Sequence, residues 1–209
     1  HLYLMNRIKL LLAGVEGGND DMELAVQQAA DIYHGNFSLF QSLPDVWAID
    51  QLHPIAPLHR LREKPTRRAV ISDITCDSDG KIDRFVLGDG VSKTLPVHEL
   101  DATRDYYLGV FFVGAYQETL GDLHNLFGDT NVVTVELQDD GRFELMHEQE
   151  GDTVAEVLTY VEYEPRRLVD GFKAIVERAV HEGAIAPRDR REMIDAFKDS
   201  INGYTYFEH

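Results

Sequence analysis

Arg68-Ala69-Val70-Ile71-Ser72-Asp73-Ile74-Thr75-Cys76-Asp77-Ser78-Asp79-Gly80 begins as an alternating run and ends in a crowded turn. The turn holds the only cysteine of the chain, set among three carboxylates and a glycine. The first half predicts a half-buried β-strand, because successive strand side chains point to opposite faces. The second half poses a chemical choice. A thiol there can fill a small core space or hand a proton to something bound beside it. Downstream, Ile82, Phe85 and Val86 followed by Gly88-Asp89-Gly90 predict an antiparallel neighbour closed by a tight turn. Leu108-Gly109-Val110-Phe111-Phe112-Val113-Gly114-Ala115-Tyr116 is the most apolar stretch and predicts a central strand buried on both faces.

Upstream, residues 1–34 predict two helices. Leu4, Ile8, Leu11 and Leu12 repeat at helical spacing, Gly14 to Asp20 makes a break, and Met22, Ala25, Ala29 and Ile32 form a second apolar face that ends at His34-Gly35. Phe37-Ser38-Leu39-Phe40 and Leu52 to Leu61 predict short strands on either side of a turn at Pro44. The segment between them, Gln41 to Asp50, is too short for a full helix and carries the only tryptophan, Trp47, with Asp45 and Asp50. Trp47 can fill the core, or it can wall a pocket for an amphipathic cation.

After Tyr116 a helix is expected from Gln117, then a polar loop at Asn125 to Asp129. Asp139-Asp140-Gly141 between two apolar runs predicts a hairpin. Thr153-Val154-Ala155-Glu156 is a capping box, and Pro165 and Pro187 can each open a further helix. Leu168, Phe172, Ile175 and Val176 would face inward on the first of these, and Met193, Ile194, Phe197 and Ile201 on the second. The expected fold class is α+β: a mainly antiparallel, barrel-like or sandwich-like β domain flanked by helical elements. The expected division is a helical segment at 1–34, the β domain at 35–150 and a helical segment at 151–209.

Composition limits the function. The chain has 209 residues, 44% of them hydrophobic, enough for a sizeable core. With 20 Lys+Arg against 37 Asp+Glu the net charge is -17, which argues against nucleic acid or an anionic membrane as partner and favours a cationic ligand. An acidic surface is also a means of staying soluble, so only local carboxylate clusters carry weight. One cysteine cannot form an internal disulfide, which fits a reducing, cytoplasmic compartment. No apolar run approaches the roughly 20 residues of a membrane helix, and no export signal is visible. The chain opens at His1, already inside an amphipathic pattern, and reads as a piece of a longer protein.

Several chemistries fail on residue spacing. Alternate aspartates before Gly80 suggest a calcium loop, but with Gly80 at the sixth position the first falls on Thr75 and the twelfth on Val86. Zinc lacks a ligand pair at metal spacing. His53, His59, His98 and His124 read as surface or satisfied core residues rather than bases. There is no serine elbow with a partnered histidine and no phosphate loop. A thiol flanked by acids and an apolar stretch delivering Tyr116 remain.

Five blocks now group together. They are Asn36-Phe37-Ser38-Leu39-Phe40-Gln41-Ser42-Leu43-Pro44-Asp45, Asp73 to Gly80, Val113-Gly114-Ala115-Tyr116-Gln117-Glu118, His124-Asn125-Leu126-Phe127-Gly128-Asp129 and Gly203-Tyr204-Thr205-Tyr206. In this order they resemble the C-terminal third of bacterial biosynthetic arginine decarboxylase. The Cys-Asp and Gly-Ala-Tyr elements also resemble the wider group of ornithine and diaminopimelate decarboxylases. That group has an alanine-racemase-like architecture, in which an N-terminal (β/α)8 barrel holding pyridoxal phosphate precedes a β domain.

The resemblance implies conversion of arginine to agmatine and carbon dioxide, the entry to putrescine and spermidine, in a homodimer or higher oligomer with a shared active site. It implies that Cys76 is the catalytic thiol that enters the partner subunit's site. After carbon dioxide leaves, the α carbon must be protonated there and nowhere else, and thiols are ordinarily protonated at neutral pH. Asp77 is implied to face the cationic end of the substrate, since guanidinium never loses its charge and pairs with carboxylates. Asp50, through Asp50-Gln51-Leu52-His53, is implied as a second substrate-selecting acid, and Tyr116 as the residue that reaches the cofactor or its phosphate. Magnesium is a further possible cofactor, with no residues assigned to it. Asp79 before a glycine can simply cap a turn.

The six lysines, Lys9, Lys64, Lys81, Lys93, Lys173 and Lys198, lie outside any motif for the lysine that anchors the cofactor, and the barrel's glycine-rich loop is absent. The chain alone is therefore expected to be inactive, the barrel completing the site. Two alternatives stay open: an inert regulatory or assembly module derived from the same β domain, and a decarboxylase of another basic amino acid.

Overall fold

The structure, a computed structural model, describes residues 30–88 and 90–208, which fall into two compact units, 30–121 and 122–208. Of the two helices expected over residues 1–34, residues 1–29 lie outside the described residues.

The first unit is organised on the strand that the opening stretch predicts. β3, Arg67–Ser72, buries Ala69 and Ile71 on one face while Arg68 on the other stays exposed. Both of its edges are used. β1, Asp31–His34, pairs with it in parallel from Asp31↔Ala69 to His34↔Ser72. On the other side β4, Lys81–Ile82, and β7, Leu95–Val97, pair antiparallel. Asp31–His34 thus forms a strand where a helix end was expected. Its backbone completes an edge of β3, and the Tyr33 hydroxyl donates to the His98 carbonyl at 2.7 Å. Two small antiparallel pairs accompany this sheet: β2, Ile55–Pro57, with β8, Leu108–Val110, and β5, Phe85–Leu87, with β6, Gly90–Ser92.

Ala69, Ile71, Ile82, Phe85, Leu95 and Val97 from the strands meet Leu39 and Leu43 in one core cluster. Burying a side chain of this size contributes about 1.5–3 kcal/mol each. Leu39 belongs to α1, Leu39–Ser42, which with α2, Pro44–Ala48, replaces the strand expected at Phe37 to Phe40. Ser38 caps α1 by accepting from Gln41 N at 3.3 Å, and Pro44 opens α2 where its missing N–H costs nothing.

The stretch from Leu108 to Tyr116 is not a buried central strand. Pairing stops after Phe111 N donates to Pro54 O at 2.9 Å, and Phe112, at φ 59°, turns the chain outward with its side chain 89% exposed. A bulky residue in the left-handed region cannot continue a ladder. The strand expected from Leu52 to Leu61 is likewise only the three residues of β2. A five-residue helix, α3, Ala115–Thr119, follows.

The second unit contains the expected hairpin, β9, Val132–Leu137, against β10, Phe143–Gln149, with a register shift between Leu145 and His147. Three helices follow: α4, Val154–Tyr160, α5, Pro165–His181, and α6, Arg190–Asn202. Thr153 and Glu156 form the reciprocal capping box at the start of α4. Gly183, at φ 75°, ends α5 in the conformation that glycine adopts most readily. Phe172 of α5 stacks on Phe197 of α6 at 4.2 Å, while Val157, Val176, Ile201 and Tyr206 are buried. The inward stripes are narrower than the periodicity suggests, since Leu168, Ile175 and Met193 remain 36–54% exposed. Among the described residues no helix is long and apolar enough to cross a membrane.

Candidate active site

β3 runs straight into the cysteine turn, and Asp73 builds that turn. Its carboxylate is only 2% exposed and accepts three hydrogen bonds: Oδ1 from Thr75 N at 2.9 Å and Thr75 Oγ1 at 2.8 Å, Oδ2 from Leu39 N at 2.8 Å. The Asp73 N–H donates to Gly80 O at 2.8 Å and closes the loop. Gly80 is needed there, because a Cβ at that position would overlap Asp73 Oδ1. The loop therefore has one tight base and an exposed tip. Cys76 lies on the exposed side. Asp77 Oδ1 accepts from Asp79 N at 2.8 Å, so Asp77 also shapes the tip.

Leu39 N is the first amide of α1, so Asp73 joins the cysteine loop to the α1–α2 segment. At the far end of α2, Ile49 N and Gln51 N both donate to Asp45 O, at 3.1 and 3.0 Å. Asp50 lies between them at φ 58°, a conformation that aspartate tolerates better than most residues. Its side chain is 79% exposed and Oδ1 meets Arg84 Nη2 at 2.5 Å. Both residues lie on the wall of a cleft of about 240 Å³ with Trp47, Asp79, Lys81 and Asp83. Lys81 pairs with Asp83 at 3.6 Å. Phe40 supports Trp47 edge-on at 5.4 Å between ring centres, leaving the indole 54% exposed.

Tyr116 is placed from the other side of the same segment. The next residue, Gln117, is buried, and its side chain grips Asp45 twice: Oε1 accepts from Asp45 N at 3.1 Å and Nε2 donates to Asp45 Oδ2 at 2.5 Å. Gly121 closes the contact, since a Cβ there would press on Gln41 O at 2.7 Å. With Gln117 held, Tyr116 projects with 76% exposure.

Three of the five blocks thus form one connected support. The cysteine loop bonds to α1 through Asp73, and α2 bonds to α3 through Asp45 and Gln117. Asp50 and Asp79 share the cleft wall, which does not include Cys76, Asp77 or Tyr116. Asp73 and Gln117 carry much of this geometry and Arg84 pairs with Asp50, and sequence reasoning passed over all three. Ser38-x-x-Gln41, a cap pattern at a helix start, was the available signal for α1. No local pattern announces a contact between Asp73 and Leu39, which are 34 positions apart.

His98 and His59 hold structure. His98, 3% exposed, places Nδ1 2.9 Å from Tyr106 Oη and Nε2 3.1 Å from Glu63 O, and His59 Nε2 accepts from Tyr107 N at 3.1 Å. Among the described residues no group of three or more His, Cys, Asp or Glu side chains is arranged to hold a metal ion.

The last two blocks meet within the second unit. Phe127 stacks on Tyr206 at 5.2 Å, Gly128 N donates to Thr205 Oγ1 at 3.1 Å, and the Tyr206 hydroxyl donates to Gly128 O at 2.8 Å. Burial pushes the Tyr204 phenol upward, although its bond from Asn131 N acts in the opposite direction.

Residues 154–207, from α4 through α6 and the fifth block, match the family described as the arginine decarboxylase C-terminal helical extension. A biosynthetic arginine decarboxylase of Rhodopirellula baltica is 50% identical over 203 residues, which are 97% of this chain and 30% of that protein. One from Phocaeicola vulgatus is 49% identical over 201 residues, 96% of this chain and 32% of that protein. Among solved structures, the biosynthetic arginine decarboxylase of Campylobacter jejuni is 33% identical, with a TM-score of 0.75 over 90% of this chain and 32% of the other. The chain therefore spans about a third of the length of the relatives it matches. Over nearly all of its own length, in sequence and in fold, the chain is similar to the C-terminal portion of the biosynthetic arginine decarboxylases.

Proposed function

We propose that this chain is the C-terminal part of a pyridoxal-phosphate-dependent arginine decarboxylase that forms agmatine and carbon dioxide. In this reading it supplies the proton donor and the substrate-selecting acids to a site shared across a dimer interface. One observation carries the reading: the loop bearing exposed Cys76 and the helix bearing exposed Tyr116 are fixed to the same α1–α2 segment. Groups held that way keep their geometry while a second surface docks over them.

The residues present fit one side of a cofactor site. Tyr116 offers an exposed phenol at the start of α3, suited to a phosphate or ring substituent. Lys81, Lys173 and Lys198 are engaged with Asp83, Asp170 and Asp195. No lysine of this chain lies in an anchor motif, so in this reading the covalent anchor belongs to a part of the enzyme outside it. Bound pyridoxal phosphate would supply the electron sink that decarboxylation requires. Cys76 then delivers a proton to the α carbon, and its fixed loop base decides which atom receives it. Asp50 of one subunit and Asp77 of the other hold the guanidinium, and Trp47 beside Asp50 offers an aromatic face to the same cation.

Expression of the complete enzyme and comparison of arginine with ornithine, lysine and diaminopimelate tests the reading. Arginine is expected to have the highest kcat/KM. Preference for another substrate would contradict the arginine assignment and leave the placement of the donor standing.

A further inference from the structure

We propose that Arg84 is a built-in competitor of the substrate, occupying Asp50 when the site is empty and weakening cation binding until it is displaced; this rests on the assignment of Asp50 to the guanidinium site. Arg84 Nη2 lies 2.5 Å from Asp50 Oδ1 and also within 3.5 Å of Asp50 O. The two residues come from different segments, the turn after α2 and the β4–β5 link, and meet on the cleft wall. Arg84 is positioned firmly, because Ile82 on one side is 5% exposed and Phe85 on the other is 0% exposed. Asp50 is equally constrained by its left-handed backbone at the end of α2.

The chemistry of the pair follows from identity of form. Arg84 carries the same planar, permanently charged fork as an arginine substrate, so the carboxylate that suits one suits the other. A ligand cation can take Asp50 only by giving up the Arg84 pair to solvent, and Arg84 is 42% exposed, so its guanidinium has water to turn into. That cost is the same for every ligand. Arg84 therefore lowers affinity for all cations together and leaves the ratio between them unchanged. The other cleft cation, Lys81, is occupied by Asp83, and the Asp79 carboxylate makes no ion pair among the described residues. Removing the Arg84 charge leaves the cleft acids less compensated, which also favours a bound cation.

The test uses the complete enzyme with methylguanidinium as a competitive inhibitor, measuring its Ki beside the KM and kcat for arginine. Arg84→Ala, and Arg84→Gln as a variant of closer shape, are expected to lower Ki and KM about two- to five-fold, the range that an exposed ion pair supports. kcat should stay within about two-fold, and the arginine-to-ornithine ratio of kcat/KM should not move. In an Asp50→Asn background the same changes should have a clearly smaller effect, only that of the removed charge on the remaining cleft acids. A Ki that is unchanged or raised in both Arg84 variants, while Asp50→Asn raises Ki, would overturn the competitor role alone and assign Arg84 to holding Asp50 in place. An Asp50→Asn Ki equal to that of the unaltered enzyme would overturn both the competitor role and the assignment of Asp50.

Discussion

Gln117 and Asp45 hold each other through two hydrogen bonds, with Asp45 N donating to Gln117 Oε1 at 3.1 Å and Gln117 Nε2 donating to Asp45 Oδ2 at 2.5 Å. The pair is 72 positions apart in sequence and is the clamp that fixes α3, hence Tyr116, to the start of α2. Gln117→Ala would leave the Asp45 amide and carboxylate to find solvent in a part-buried place. A loss of about 1–3 kcal/mol is expected, read by denaturant unfolding monitored in the first unit. An unchanged midpoint would show that the clamp carries no stability.

Asp73 should be still less replaceable. Its carboxylate is buried and accepts three hydrogen bonds, so Asp73→Ala orphans Leu39 N and both Thr75 donors at once. About 2–3 kcal/mol is expected, since bonds to a charged acceptor exceed neutral ones and the abandoned donors keep their desolvation cost. Gly80→Ala attacks the same knot sterically and should also destabilise, by about 1–3 kcal/mol. Thermal unfolding of both variants checks this, and a wild-type Tm in either would separate the loop from the stability of the sheet.

In the second unit the Thr153–Glu156 capping box makes a pH-dependent prediction. Hydrogen bonds from the Thr153 N–H and then its hydroxyl lower the Glu156 carboxyl below its ordinary value. A carboxyl lowered on folding contributes stability that is fully present above its unfolded value and is lost as pH falls through its folded value. Titration of Glu156 by NMR should show the depressed value in the intact protein and return toward the ordinary one in Thr153→Ala. The same change removes the acceptor for Glu156 N and should cost about 1 kcal/mol of helix stability. A Glu156 titration unmoved by Thr153→Ala would contradict the box.

Tyr206→Phe isolates a single bond. Tyr206 is 6% exposed, and its hydroxyl donates to Gly128 O at 2.8 Å while the ring stacks on Phe127. The substitution keeps the stack and leaves one buried carbonyl without that donor, so about 1 kcal/mol should be lost in urea unfolding. No loss would mean that the stack and the Gly128–Thr205 bond join the two blocks without it.

What could be read from sequence was what depends on neighbours in the chain. β3, the β9–β10 hairpin and the capping box at Thr153 follow from alternation, a turn triplet and a four-residue signature. The apolar run at Leu108 to Tyr116 misled, because hydrophobicity says that a surface is to be covered and not which element covers it. Phe112 turns out at φ 59° and stays 89% exposed on this chain. Phe37 to Phe40 looked like a strand because aromatic and apolar residues dominate it, yet Ser38 and the distant Asp73 carboxylate favour a helix start at Leu39. Around the candidate site, Cys76, Asp77, Asp50 and Tyr116 stood out by residue type and by resemblance. Asp73 and Gln117, which hold their surroundings, and Arg84, which pairs with Asp50, act through contacts 34 to 72 positions away, which no local pattern encodes.

The placement of Cys76 at the exposed tip of a loop with a rigid base is the core of the functional account. Cys76→Ala in the complete enzyme tests it most directly, with agmatine formation and the fraction of turnovers that protonate the wrong atom both measured. Loss of a positioned acid predicts a fall in agmatine formation of about 10²-fold or more and a rise in misprotonated product, with KM for arginine little changed. An unchanged rate with unchanged product fidelity would contradict the proton-donor role.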